Sequence, residues 1–110
     1  MTEATFDLDA TLSALADPHR RRTVDLLSEG PLRAGELAQA IGLPPPAMSR
    51  HLRVLRHSGL VEESHPLSDA RVRIYTLRPG PMLELKHWLD EMEMQWQGQL
   101  AAFKAHVEAS

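Results

Sequence analysis

The sequence predicts a mainly α fold with one small β-hairpin, in a single domain spanning residues 1–110. Three observations predict it. The stretch ELAQAIGLPPPAMSRHLRVLRHSGL, residues 36–60, reads as two short helices on either side of a Gly42-Leu43-Pro44 turn. Two strand-like runs follow, Leu60 to His65 and Arg71 to Leu77, separated by the loop Pro66-Leu67-Ser68-Asp69-Ala70. From Pro81 to Val107 no further proline interrupts, and apolar residues recur every three or four positions. Two short helices set at an angle, with a hairpin behind the second, make a winged helix-turn-helix. The long last helix adds the expectation of a dimer.

The elements follow in order. Phe6, Leu8, Leu12 and Leu15 suggest a first helix over residues 5–16, too short to stand alone in water and in need of a surface to pack on. Asp17-Pro18 starts the second helix, because Asp can cap free amides and Pro suits the first helical position. Gly30-Pro31 stops it. Val24, Leu26 and Leu27 give it a buried side, and Arg20, Arg21 and Arg22 cluster in its first turns. That cluster reads as a solvated face, as phosphate contacts, or as ion pairs with an acidic end segment. Leu32-Arg33-Ala34-Gly35 leads into the helix beginning at Glu36, where Arg33 stands in place of a good capping residue. Residues 17–78 form the core of the domain, with the wing at 60–77 and the last helix at 81–107.

The second helix of the motif, Pro45 to His57, carries two faces. Met48, Leu52 and Leu55 form the buried stripe, while Arg50, Arg53 and Arg56 recur every three residues with His57 beside them. No acidic residue lies between Pro44 and Val61. A helix with one apolar and one arginine face is what the DNA major groove accepts. Pro44-Pro45-Pro46 opens it as a rigid turn plus a first helical turn, stiff rather than hydrogen-bonded. In the hairpin, Val72, Ile74 and Thr76 share one face and Arg71, Arg73 and Tyr75 the other. Arg71 and Arg73 can then reach a phosphate or a minor groove.

The formal charge of −3 is unevenly spread. Between Asp17 and Arg78 there are ten arginines against seven acids, whereas the flanks hold two lysines against eight acids. Positive charge is therefore gathered on the central section. The absence of Cys excludes disulfides, zinc fingers and thiolate metal sites. Glu84, His87, Asp90 and Glu91 stand at chelating spacings on the last helix, as they also do in ordinary acidic helices, and no metal site or cofactor is expected. No Gly-rich phosphate loop, Cys nucleophile or Ser-His-Asp grouping speaks for an enzyme. There is no membrane-spanning run, and the first residues lack the pattern of a signal peptide, so a cytoplasmic protein is expected.

Leu85, Leu89, Met92, Trp96, Leu100, Phe103 and Val107 form one stripe on the last helix, widened by Trp88. It is more than a small domain needs to cover its own core, and a second copy of the chain explains it best. The expected interface is Phe6, Leu8, Leu12, Leu85, Trp88, Leu89, Met92, Trp96, Leu100 and Phe103. A pocket lined by the two tryptophans for an unidentified small-molecule effector is the alternative use of the same residues.

From Leu15 to Ser64 the sequence LADPHRRRTVDLLSEGPLRAGELAQAIGLPPPAMSRHLRVLRHSGLVEES resembles the ArsR family of winged helix-turn-helix transcriptional regulators. ADPHRR, GELA and SRHLRVLRHSGLV are its most specific pieces, and the likeness continues through RVRIYTL and the Trp-bearing last helix. The resemblance implies a homodimer, held by the first and last helices, that binds an inverted repeat in double-stranded DNA, usually as a repressor. It implies that Pro45, Ala47, Ser49, Arg50 and Arg53 face DNA. Farther along the same helix Arg56 and His57 are expected to touch phosphate, and His51 is counted with them as a DNA-binding residue. Two features depart from the family pattern: Pro44-Pro45 replaces a polar cap, and Arg33 stands where metal-sensing members carry cysteine before GELA. A protein-interaction module that kept the fold and lost DNA binding is the competing reading.

Overall fold

Leu37, Met48, Leu52, Leu55 and Leu60 are almost wholly shielded from solvent, and the helix-turn-helix is built around them. The computed structural model describes residues 7–109. Its elements are α1 (Leu8–Leu15), α2 (Pro18–Leu27), β1 (Leu32–Arg33), α3 (Ala34–Ile41), α4 (Pro45–His57), β2 (Val61–Ser64), β3 (Ile74–Leu77) and α5 (Pro79–Ala109). Ala14 of α1, Val24 and Leu27 of α2, Ala38 of α3, Val61 of β2 and Tyr75 of β3 complete the core.

Each helix begins where its local chemistry allows. Asp7 caps α1 by accepting from the Ala10 amide at 3.0 Å. Asp17 caps α2 by accepting from the amides of His19 at 2.8 Å and Arg20 at 3.3 Å. Arg33, at the N-cap of α3, has no side-chain oxygen to offer. The reciprocal bond is made instead: the Glu36 carboxylate accepts the Arg33 amide at 2.8 Å, so α3 starts at Ala34 rather than at Glu36 as expected. Pro44 at the N-cap of α4 makes no side-chain bond, with Pro45 and Pro46 in the first turn. The stiff, uncapped start expected from the three prolines is what the structure has.

Gly42 closes α3 at φ +83°, a conformation that favours glycine, and its amide and that of Leu43 both return to the Ala38 carbonyl. That short turn sets α4 against α3. Gly59, also at φ +83°, ends α4, and Leu60 bonds back to the Leu55 carbonyl at 3.1 Å.

The sheet has three antiparallel strands in the order β1-β3-β2. β1 was not foreseen: its two residues pair Leu32 with Tyr75 and Arg33 with Ile74. Two residues cannot display an alternating pattern, so nothing local announces them. The hairpin strands are shorter than the expected runs, which leaves Arg71 and Arg73 in the loop before β3. Tyr75, grouped in the sequence with those arginines, is turned into the core at 3% exposure.

α5 begins at Pro79 and ends at Ala109, wider at both ends than the expected 81–107, because Pro79 and Pro81 fit a first turn whose amides need no partner. At about 1.5 Å per residue it is roughly 46 Å long. The described residues extend over 67 × 39 × 21 Å. Leu85 is the one fully buried residue of α5. Farther along, Leu89, Trp96, Leu100 and Phe103 are 50–65% exposed, while Trp88 and Met92 are half-buried. In α1 it is the small residues Thr11 and Ala14 that are buried; Leu8 is half-buried and Leu12 exposed. Phe6 lies outside the described residues. No helix among these is long and apolar enough to cross a membrane.

Candidate DNA-binding interface

The apolar stripe of α4 orients everything else on that helix. With Met48, Leu52 and Leu55 buried, the opposite face presents Pro45, Ser49, Arg50 and Arg53 to solvent. Neither Arg50 nor Arg53 takes part in an ion pair or hydrogen bond among the described residues. Their guanidinium donors are free for an incoming phosphate or base edge. Ala47 is half-buried beside them.

His51 behaves differently from its arginine neighbours. It is half-buried, and its Nδ1 lies 3.1 Å from Nη1 of Arg20. Its ring also stands 5.6 Å from that of His19. It is a joint between α2 and α4 more than an outward contact. Arg20 explains the basic cluster of α2 in a way the sequence did not suggest. Its Nε donates to the Ala14 carbonyl at 2.7 Å and its Nη2 to the Ser13 carbonyl at 3.3 Å. Arg21 donates to the Leu15 carbonyl at 2.8 Å. These carbonyls lie at the C-terminal end of α1, where cations are favoured; that of Ser13 also accepts the Ala16 amide at 3.2 Å. Two of the three arginines therefore close a helix.

The C-terminal end of α4 meets the wing at Glu63. The Tyr75 hydroxyl donates to Oε2 of Glu63 at 2.6 Å. Nη1 of Arg56 lies 3.6 Å from the same oxygen, and Nε2 of His65 lies 3.8 Å from Oε1. The Tyr75 hydrogen bond holds the Glu63 carboxyl below the ordinary glutamate range against its partial burial, and Arg56, Arg73 and His65 add to that effect. Burial and the Glu63 anion together push the Tyr75 hydroxyl up. At the wing tip, Asp69 accepts from Nε of Arg71 at 3.2 Å and from its backbone amide at 3.0 Å. The Arg71 side chain remains 91% exposed there. Neither Glu63 nor Tyr75 stood out in the sequence as part of this surface. The signal that places them is register, since the two are direct cross-strand partners.

Two grooves border α4. One, of about 400 Å³ and mostly apolar, lies against α1 and is lined by Ala10, Ser13, Arg53, Val54, His57 and Ser58. The other, of about 390 Å³, is lined by Arg56, His57, Val61, Glu62, Glu63 and Arg78. His57 thus sits on both rims, and neither groove includes Trp88 or Trp96. On α5, Lys86 takes Asp90 at 2.8 Å and His87 takes Glu91 at 3.5 Å. Among the described residues no three His, Cys, Asp or Glu side chains gather as a metal site would need.

A face of free arginines on the second helix of a helix-turn-helix, flanked by a hairpin, is one known architecture for holding duplex DNA. Residues 17–63 match the family described as "Bacterial regulatory protein, arsR family". Over 82 residues, 74% of each chain, the protein is 42% identical to the HTH-type transcriptional regulator Rv2034 of Mycobacterium tuberculosis. The chain belongs to the ArsR family. This ArsR-family protein is also 47% identical over 63 residues to the biofilm growth-associated repressor of Xylella fastidiosa, covering 57% of this chain and 55% of that one. Its fold is similar to that of an ArsR-like transcriptional regulator from Rhodococcus sp. RHA1, with a TM-score of 0.74 at 25% identity, covering 94% of this chain and 92% of that one. It is a DNA-binding transcriptional regulator of the winged helix-turn-helix class, not an enzyme.

Proposed function

We propose that this ArsR-family protein acts as a homodimer that binds an inverted-repeat operator and represses transcription from it. The observation that carries the reading is the exposure of Arg50 and Arg53 on the outer face of α4, both without a partner among the described residues. Ser49, Arg50 and Arg53 meet base edges or adjoining phosphates in the major groove. Pro45 and Ala47 pack at the groove wall, and His57, Arg71 and Arg73 extend the contact to phosphates on either side. His51 supports the helix from behind through Arg20.

Pairing of two copies is supported by the stripe on α5. Leu89, Trp96, Leu100 and Phe103 are each at least half exposed in the single chain, an arrangement that a monomer in water disfavours. A second α5, with α1 beside it, covers the stripe. It also sets the two α4 helices about 34 Å apart, one DNA turn. Trp88 and Trp96 then belong to the interface between copies. The reading leaves room for a small-molecule effector without requiring one, and it places the protein with the chromosome in the cytoplasm.

In-vitro selection of bound duplexes tests the reading, combined with a salt titration and a promoter-reporter assay. The expected outcome is an inverted repeat whose affinity falls steeply with salt as counterions are released. The reporter falls when the protein is present. A flat salt response or no enriched sequence favours an interaction module that has lost DNA binding, and a rising reporter makes the protein an activator.

A further inference from the structure

Glu63 gathers groups from three parts of the chain. Tyr75 faces it directly across the β2–β3 pair and donates to Oε2 at 2.6 Å. Arg56, from the last turn of α4, brings Nη1 to 3.6 Å of that same oxygen. Arg73, from the loop before β3, adds its positive field at the carboxylate, as does His65. The two partners of the ion pair are held very differently. The Glu63 side chain is 15% exposed and anchored through a buried tyrosine, whereas the Arg56 side chain is 46% exposed on a long flexible stem.

At 3.6 Å the Arg56 contact is an ion pair without a hydrogen bond. Such half-exposed pairs are weak, so the guanidinium leaves the carboxylate at small cost. The notch beside it, about 390 Å³, is bordered by Arg56, His57 and Arg78 together with the carboxylates of Glu62 and Glu63, and has room for a phosphate group. A fixed carboxylate facing an arginine on the reader helix presents the same charge and the same acceptor oxygens as a DNA phosphate.

We propose that Glu63 is an internal competitor for DNA: in the free protein it holds Arg56, and on the duplex the Arg56 guanidinium turns from this carboxylate to a backbone phosphate. The inference rests on the DNA-binding reading above and deepens it. Glu63 lowers affinity for every duplex alike, because the contact it opposes is to phosphate and carries no sequence information. It thereby keeps the sequence-independent share of binding low and leaves Ser49, Arg50 and Arg53 to decide between sites.

The test uses the full chain, the selected duplex and a random duplex of equal length, with dissociation constants measured by fluorescence anisotropy from low to moderate salt. The variants are E63Q, R56A, R56A/E63Q and E62Q. E63Q keeps an oxygen that accepts the Tyr75 hydroxyl, and its thermal midpoint is measured alongside. E62Q removes the same charge from the same notch, but from an exposed side chain that forms no ion pair among the described residues, so it separates the hold on Arg56 from the general field of the notch. The expected result is that E63Q binds both duplexes about 3- to 10-fold tighter with the salt slope of the wild type, because the same Arg56–phosphate contact forms in both complexes, while R56A has a slope shallower by about 0.9. The gain disappears in the R56A background, and E62Q produces less than half of it.

A slope for E63Q steeper by about 0.9 overturns the inference, because Arg56 then stays on Glu63 in the wild-type complex and reaches phosphate only without it. So does an equal gain from E62Q, or a gain that survives without Arg56. Weaker binding by E63Q with a lowered thermal midpoint makes Glu63 a purely structural residue and overturns it too. If the wild-type protein binds neither duplex, the DNA reading fails and takes the inference with it. If the wild type binds and E63Q behaves identically, only the inference fails.

Discussion

Nη1 of Arg20 donates to Nδ1 of His51 at 3.1 Å, and through that bond the second helix holds the reader helix. Arginine can only donate, so Nδ1 is the acceptor and the imidazole is neutral, with its proton on Nε2. The same guanidinium closes the C-terminal end of α1 through Ala14 and Ser13. One side chain therefore joins α1, α2 and α4.

This bond makes stability depend on pH. Burial pushes the His51 imidazole below its ordinary value, against the pull of Asp17, and the charges of Arg20, His19 and Arg50 push it further down. The unfolded chain accordingly takes up a proton at His51 before the folded chain does. The contribution is fully present above the unfolded value of 6.5 and is lost as pH falls below it toward the lower folded value. Thermal midpoints from pH 8 to pH 5 should fall more for the wild type than for His51→Gln, which still accepts from Arg20 and does not titrate. Parallel curves would show that His51 does not set this dependence.

Arg20 and Arg21 should differ sharply on truncation although they are neighbours. Arg20→Ala removes bonds to two helices and is expected to cost about 1–3 kcal/mol, in the range for hydrogen bonds to charged groups. Arg21→Ala removes one exposed bond to Leu15 and should cost about 1 kcal/mol or less. Urea unfolding of the two variants gives both numbers. Equal effects would mean that the tie to His51 contributes nothing.

Arg50→Ala should weaken operator binding by at least ~1 kcal/mol, the cost of a lost base or phosphate contact. Its side chain is exposed and makes no hydrogen bond or ion pair among the described residues, so urea stability should stay within about 0.5 kcal/mol of wild type. Anisotropy titration and urea unfolding separate the two effects. An unchanged affinity removes Arg50 from the interface.

Leu89→Glu and Trp96→Glu should each give helical monomers. Both side chains are at least half exposed in the single chain, so a charge there harms the interface between copies and not the fold. Leu85→Glu should instead unfold the chain, because that side chain is only 7% exposed. Sedimentation with circular dichroism distinguishes them. A dimer that survives both of the first two changes would remove the α5 interface.

Much of the fold was legible because it depends on near neighbours. Met48, Leu52 and Leu55 repeat at helical spacing, so the buried side of α4 follows from the order of residues, and its arginine face with it. Asp17-Pro18 and Pro44 to Pro46 act within one turn, and the helices begin there. β1 was invisible because a strand of two residues has no period, and it exists only through its pairing with β3. The side to which Tyr75 turns was equally hidden, since alternation separates two faces without saying which one meets the core.

By itself, the sequence determined the helix-turn-helix, its hairpin, the long last helix and the family, all carried by local patterns and contiguous motifs. Only the tertiary structure decided which arginines remain free. Arg20 and Arg21 close α1, Arg56 faces Glu63, Arg71 is held by Asp69, and Arg50 and Arg53 are left open. The reason is physical: a guanidinium sits on a long stem and takes whatever acceptor folding brings near. In three of these four cases of engagement the acceptor lies in another element or across the hairpin; only Asp69 is a near neighbour. Charge spacing on a helix therefore marks a surface as basic, and the packing of the other elements selects which of its charges can reach DNA.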